Sequence, residues 1–106
     1  MDNNTERIPA PTVGEILKEE FLEPLGLTAY RLAKGLNLST TTVLDILNGK
    51  RKITVETAMR LSRYFGNSAK FWLNLQNDID LRIKSEKPHK NIDKIRPFQH
   101  TLLNQT

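Results

Sequence analysis

The sequence predicts an all-α fold, a bundle of five helices in a single domain. First, apolar residues recur at helical spacing in five segments, each bounded by residues typical of helix starts and stops. Second, no segment before residue 84 alternates apolar and polar residues as a half-buried strand would. Third, a chain of 106 residues has room for one modest hydrophobic core.

The first helix is predicted over residues 13–21. Thr12 stands three residues before Glu15, and this capping-box pattern marks a helix start. Pro24 lacks the backbone N–H that a continuing helix needs, so we expect the helix to end before it. The expected buried stripe comprises Val13, Ile16, Leu17 and Phe21.

The second and third helices are predicted as a pair separated by a tight turn. Thr28 can cap the second helix, Ser39 can cap the third, and Gly49 ends the third. Asn37 is placed in the turn because asparagine accepts a left-handed backbone more readily than most residues. The residues expected to face the core are Ala29, Leu32, Ala33, Leu36, Val43, Ile46 and Leu47.

The fourth and fifth helices show the same boundary signals. Thr54 caps the fourth and Gly66 stops it, whereas Ser68 or Asn67 caps the fifth, which runs to about Arg82. The apolar face expected for the fourth helix is Val55, Ala58, Met59, Leu61 and Phe65. The apolar residues of the fifth are Phe71, Trp72, Leu75, Ile79 and Leu81.

Composition excludes several classes of protein. No apolar run approaches the about 20 residues of a membrane span, and the chain starts with polar, acidic residues, MDNNTERIPAP, unlike a secretion signal. We therefore expect a cytoplasmic protein that does not contact a membrane. The chain has no cysteine, no glycine-rich phosphate loop and no nucleophile–base pair, and His89 and His100 lack partners at ligand spacing. We expect a non-enzyme without catalytic residues, cofactor or metal.

Charge is divided unevenly along the chain. Residues 1–27 contain two cations and six acids, whereas the remaining 14 cations and six acids lie beyond them, for a net charge of +4. A basic body with an acidic end suggests a polyanion on one side and a basic partner on the other. Two solvated faces without any partner are the alternative.

Two short helices joined by a tight turn form a helix-turn-helix arrangement. With Val43 and Ile46 buried, the third helix presents hydroxyl and amide groups outward, which suit phosphate oxygens and base edges. The cations just after it would reach flanking phosphates. The predicted DNA-binding residues are Thr28, Arg31, Ser39, Thr40, Thr41, Thr42, Leu44, Asp45, Asn48, Lys50, Arg51 and Lys52. An ordinary helical hairpin is the alternative, because threonine caps and Asn-Gly stops are common.

Four stretches of the chain resemble HigA-type antitoxins, the helix-turn-helix partners of HigB-type toxins in bacterial addiction modules. They are GEILKEEFLEPLGLTAYRLAKGLNL, ILNGKRKIT, TAMRLSRYFGNSAKFWLNLQ and DLR, within about residues 12–83. The resemblance implies a lambda-repressor-like domain that dimerises, binds its own double-stranded operator DNA as an autorepressor and neutralises a RelE-like, mRNA-cleaving toxin.

The chain departs from this family pattern at several positions. Many relatives have glycine at Asn37, proline at Val13, and basic residues at Thr40 or Thr42. Fewer cations on the third helix should weaken its electrostatic grip on DNA. Two alternatives stay open. One is a free-standing repressor without a toxin, in which the acidic first helix is plain surface. The other, which the missing cations on the third helix favour, is a protein-interaction module that has lost DNA binding.

Two adjacent aromatic residues on the fifth helix indicate a second surface. Phe71 and Trp72 diverge by about 100° around the helix, so both cannot face one core. We predict a homodimer interface, in which aromatic residues concentrate binding energy. Its predicted residues are Phe71, Trp72, Leu75 and Ile79. The alternative is that one aromatic covers the edge of the protomer core.

The acidic side of the first helix is the predicted toxin contact. Its carboxylates lie opposite the apolar stripe, and a ribonuclease that handles mRNA is expected to be basic. The residues concerned are Glu15, Glu19, Glu20 and Glu23. A solvated acidic face is the alternative.

The chain is predicted to have three regions. Residues 1–11 are predicted to be a flexible N-terminal arm, and residues 12–83 the helix-turn-helix domain with its C-terminal dimerisation helix. Residues 84–106 form a basic tail, which either binds phosphates or packs on the body.

Overall fold

A computed structural model describes residues 11–98, and all regular secondary structure in that range is helical. Helix α1 is continuous but has three segments, α-helical Val13–Ile16, π-helical Leu17–Leu22 and α-helical Glu23–Leu25. It is followed by α2 (Ala29–Leu36), α3 (Thr40–Leu47), α4 (Val55–Phe65), α5 (Ala69–Ser85) and α6 (Lys90–Asp93). The all-α prediction is confirmed, and α6 is a short addition within the tail. In the described range, no helix is both long and apolar enough to cross a membrane.

A side-chain hydroxyl caps the start of each of the first five helices. The five hydroxyls accept a hydrogen bond from the backbone N–H three residues further on, at 3.0 to 3.2 Å. The capping residues are Thr12, Thr28, Ser39, Thr54 and Ser68. The predicted helix starts are therefore confirmed, because short polar residues satisfy the N–H groups that a helix start leaves unpaired.

Left-handed residues end three of the helices as the sequence predicted. Asn37 has φ 59° and ψ 46° after α2, Gly49 has φ 77° after α3, and Gly66 has φ 82° after α4. After α2, the Leu38 N–H donates to the Ala33 carbonyl at 2.9 Å. This bond completes a Schellman motif, which fixes the direction in which the chain leaves the helix.

The prediction that Pro24 prevents α1 from continuing is wrong. The helix passes through Pro24 and ends only at Gly26, whose φ is 66°. In the π-helical segment, hydrogen bonds span five residues, as from the Glu23 N–H to the Lys18 carbonyl. The wider π turn is compatible with a following residue that has no N–H to donate.

The hydrophobic core is centred on Trp72. The largest fully buried side chains are Trp72, Leu17, Leu32, Leu61 and Val43. The Trp72 ring lies 4.9 Å from the Phe21 ring, centroid to centroid, and its Nε1 donates to Asn67 Oδ1 at 2.9 Å. Two residues assigned to the inner face of α4 lie outside this core: Val55 is 62% exposed and Met59 58%.

Helix α1 packs closely against the end of α3 at Gly14. A Cβ atom at this position would lie 2.1 Å from the carbonyl oxygen of Ile46 and 2.7 Å from that of Leu47. A side chain at this position would therefore collide with backbone atoms. The missing side chain allows α1 to support α3 from behind.

Arg60 of α4 holds the turn between α2 and α3. Its Nη1 donates to the carbonyl oxygens of Leu36 and Asn37, at 2.7 and 3.2 Å. Glu56, one helical turn earlier, accepts from the Arg60 Nε at 3.1 Å. A cation is well placed at the C-terminal end of α2, where unpaired carbonyl groups carry partial negative charge. Arg60 thus stabilises the turn that sets the angle of α3.

Candidate nucleic-acid interface

The outer face of α3 carries three of the twelve predicted DNA-binding residues. Val43 and Ile46 anchor the inner face and are 1% and 3% exposed. On the outer face, Thr41 and Asn48 are exposed, and Leu44 is 43% exposed. These three positions lie three or four residues apart, so their side chains share one face of the helix. The face offers a hydroxyl, an apolar group and an amide, all of which can contact base edges.

Other predicted residues near this face also serve as helix caps. The Ser39 hydroxyl accepts from the Thr42 N–H at 3.1 Å and donates to Thr42 Oγ1 at 2.9 Å. The Thr28 hydroxyl accepts from the Arg31 N–H at 3.1 Å. Ser39, Thr28 and Arg31 are exposed, whereas Thr40 and Thr42 are half-buried. The hydroxyls of Ser39 and Thr28 would therefore have to contact a phosphate while keeping their capping hydrogen bonds.

The turn after α3 fixes the backbone of two exposed cations. The N–H groups of Lys50 and Arg51 both donate to the carbonyl oxygen of Asp45, at 2.8 and 3.2 Å. The Gly49 N–H donates to the Ile46 carbonyl at 3.1 Å, so this turn is also a Schellman motif. The half-buried Asp45 thus organises the cations through its carbonyl group. The turn holds Lys50 and Arg51 at the end of the outer face.

Lys52 differs from the two cations before it. Its Nζ lies 3.2 Å from Asp80 Oδ2, across the gap between the α3–α4 loop and α5. Neither Asp80 nor its neighbour Gln76 was assigned to the site from the sequence. A signal exists for Gln76 alone, because it is a polar residue on the stripe that otherwise buries Trp72 and Ile79.

The acidic surface of α1 adjoins the outer face of α3. Thr12, Glu15, Lys18 and Glu19 line one groove together with Leu44, Leu47 and Asn48. All four predicted toxin-contact residues are exposed. Glu15 also has a structural use, because its Oε1 accepts from the Thr12 N–H at 3.0 Å in the capping box.

The predicted dimer residues of α5 do not share one exposed surface. Trp72 is fully buried and Ile79 is 6% exposed, so assigning these two side chains to an interface is wrong. Both point into the protomer core, which α1 and α4 complete. Phe71 is 42% exposed and Leu75 half-buried, so these two remain available for a partner.

The predictions for the two ends of the chain fall partly outside the described residues. Residues 1–10 of the predicted arm and residues 99–106 of the tail, including His100, lie beyond them. Within 11–98, no group of three His, Cys, Asp or Glu side chains could hold a metal ion. Helix α5 continues to Ser85, past the predicted end near Arg82.

Comparison with known proteins agrees with this geometry. A helix-turn-helix family model matches residues 17–72. The chain is 46% identical over 91 residues to virulence-associated protein I of Dichelobacter nodosus, covering 86% of this chain and 83% of that protein. It is 43% identical over 77 residues to antitoxin HigA-1 of Vibrio cholerae, covering 73% and 71%.

Solved structures show the same similarity. One is the Pseudomonas aeruginosa antitoxin HigA with the higBA promoter, which matches with a TM-score of 0.77 at 39% identity. The match covers 84% of this chain and 98% of that one.

Proposed function

The chain belongs to the HigA-type family of helix-turn-helix antitoxins, and from this membership we propose that it is the antitoxin of a type II toxin–antitoxin module. In this role it binds operator DNA as a dimer, represses its own transcription and neutralises a RelE-like, mRNA-cleaving toxin of the HigB type. It works by binding, and none of these steps requires a catalytic group of its own.

The proposal for DNA binding rests on the outer face of α3 and on the two exposed cations whose backbone is held just after it. Thr41, Leu44 and Asn48 are exposed on one face, and the backbone of Lys50 and Arg51 is held at its end. Side chains on the helix read base edges, whereas the cations bind phosphates and set the register. The relative from Pseudomonas aeruginosa that was solved with a promoter supports this proposal.

A salt titration tests the proposed DNA binding. The duplex is taken from the promoter of the chain's own gene, and a scrambled duplex of the same composition is the control. Affinity for the operator should exceed affinity for the scrambled duplex, and log affinity should fall by about 0.9 per phosphate contact for each unit of log salt. A chain that shows no operator preference at any salt concentration would be a protein-interaction module instead.

We also propose a homodimer. Phe71 and Leu75 of α5 offer apolar surface to a second copy, and exposed aromatic residues are favourable anchors of interfaces. A dimer would place two α3 helices about 34 Å apart, the spacing of successive major grooves on one side of the duplex.

The acidic surface of α1 is the proposed toxin contact, and reversing its charge should weaken the toxin complex. Glu19→Lys combined with Glu20→Lys replaces two exposed acids with cations. We expect the dissociation constant for a basic toxin to rise about tenfold or more, because like charges would face each other in the complex. Titration calorimetry with the HigB-type toxin, in the absence of DNA, measures this change.

The matched control reverses two exposed acids on α5 and its C-terminal end, Asp78→Lys with Glu86→Lys. This variant changes the net charge equally and should bind the toxin as the unmodified chain does. Equal affinity of all three proteins would show that the acidic surface of α1 is only solvated. If no toxin co-purifies with the chain and no small basic protein is encoded beside its gene, the free-standing repressor is correct.

A further inference from the structure

Two polar side chains connect α5 to the loop that follows α3. Gln76 is 9% exposed, and its Oε1 accepts from the Ile53 N–H at 3.0 Å. Its Nε2 donates to Asp80 Oδ1 at 3.1 Å, and Asp80 Oδ2 lies 3.2 Å from the Nζ of Lys52. An unbroken polar network of two hydrogen bonds and one ion pair therefore runs from the buried backbone of Ile53 through α5 to an exposed cation beside the proposed DNA-binding face.

The chemistry of each group determines which atoms donate and which accept in this network. The Ile53 N–H is a donor, so Gln76 must turn its carbonyl oxygen towards it and its NH₂ group towards Asp80. One oxygen of Asp80 accepts from that NH₂ group, and the other is left for Lys52. Because the glutamine is itself held by a buried backbone group, the carboxylate is fixed in position.

Lys52 is less constrained than the acid that holds it. The Lys52 side chain is 73% exposed and the Asp80 side chain 33%. An ion pair this exposed contributes little to stability, so the ammonium group can exchange one partner for another at small cost. A DNA phosphate offers the same kind of charged acceptor as the carboxylate.

We propose that Asp80 limits the affinity of the chain for DNA by competing with phosphate for Lys52. Lys50 and Arg51 then contact phosphates whenever DNA is bound, whereas Lys52 does so only to the extent that Asp80 releases it. This inference rests on the proposed DNA binding and deepens it by naming the residue that sets its strength. It also separates Lys52 from the two cations with which the sequence grouped it.

Asp80→Asn tests the inference in the operator titration. Asparagine keeps an acceptor oxygen for Gln76 and nearly the same shape, but it removes the charge that holds Lys52. Operator affinity at low salt should rise about threefold or more. The salt slope, which is the fall of log affinity per unit of log salt, should steepen by about 0.9 per protomer, because one phosphate contact is added. In a Lys52→Ala background, the same substitution should leave both quantities unchanged.

Asp78→Asn is the matched control. It removes the same charge from an exposed acid on the same helix and should not alter the salt slope. An equal gain for Asp78→Asn, or an equal gain with and without Lys52, would mean that Asp80 acts only through overall charge and would overturn the inference. An unchanged or weaker affinity for Asp80→Asn would overturn it as well.

A second measurement does not depend on the folding of the Asp80 variant. Lys52→Ala alone should flatten the salt slope much less than Lys50→Ala, because Asp80 already occupies Lys52 in the unmodified chain. Equal flattening by the two substitutions contradicts the inference. Failure of the unmodified chain to prefer its operator is a different result, because it overturns the proposed DNA binding itself.

Discussion

Replacing Trp72 with alanine is expected to lower the free energy of unfolding by about 4 kcal/mol, the middle of the range for large aromatic residues in cores. Trp72 is fully buried, its ring packs against Phe21 and Phe65, and its Nε1 donates to Asn67. The substitution opens a cavity where α1, α4 and α5 meet, and it leaves the Asn67 oxygen without this donor. Urea unfolding followed by circular dichroism measures the loss. For a domain of this size it removes a large part of the total stability.

The neighbouring Phe71→Ala is the control for this experiment. Phe71 is 42% exposed, and its ring contacts Trp72 at a centroid distance of 5.0 Å. We expect it to cost about 1 kcal/mol of unfolding free energy, as for one aromatic pair, and to weaken the proposed dimer in sedimentation equilibrium. Similar losses of stability for both alanine variants would contradict the placement of Trp72 at the centre of the core.

Removing both fixed cations, Lys50→Ala with Arg51→Ala, is expected to lower affinity for every DNA duplex at least about tenfold at physiological salt. Each lost phosphate contact reduces the salt slope by about 0.9, so two contacts per protomer reduce it by about 1.8. The operator and a scrambled duplex should be affected alike, because phosphates carry no sequence information directly. Fluorescence anisotropy over a range of salt concentrations gives both quantities.

Arg63→Ala with Lys70→Ala removes the same charge from exposed positions on α4 and α5, outside the proposed DNA interface. This control should keep the salt slope of the unmodified chain. If it flattens the slope as much as the loss of Lys50 and Arg51 does, then affinity for DNA depends only on the net charge of the protein, and the turn after α3 has no special role.

Local signals in the sequence were sufficient for the starts of the five predicted helices and for the ends of three of them. Caps such as Thr12 and Ser39 act through the next three residues, and Asn37 or Gly66 through their own backbone, so each is visible in a short stretch of sequence. The outer face of α3 was predictable for the same reason. Once Val43 and Ile46 are buried, helical geometry determines which side chains face outward.

Interactions between distant segments could not be predicted in this way. Neighbouring aromatics show that one of the pair must leave the core, but only packing against α1 and α4 shows that Trp72 is the buried one. The contact between Lys52 and Asp80 joins an α3–α4 loop residue to α5, and nothing in either segment alone indicates it. The passage of α1 through Pro24 depends on a π-helical segment, for which the sequence has no reliable signal.

Measuring how Thr41→Ala changes sequence preference tests whether the outer face of α3 reads bases. Thr41 is exposed and caps no helix, so the fold should be unaffected. Affinities are compared across a set of operators that differ by one base pair at each position of a half-site. We predict that the ranking changes at one or two positions while affinity for the remaining sequences stays close to that of the unmodified chain. A uniform loss of affinity for every operator would contradict base reading at this position.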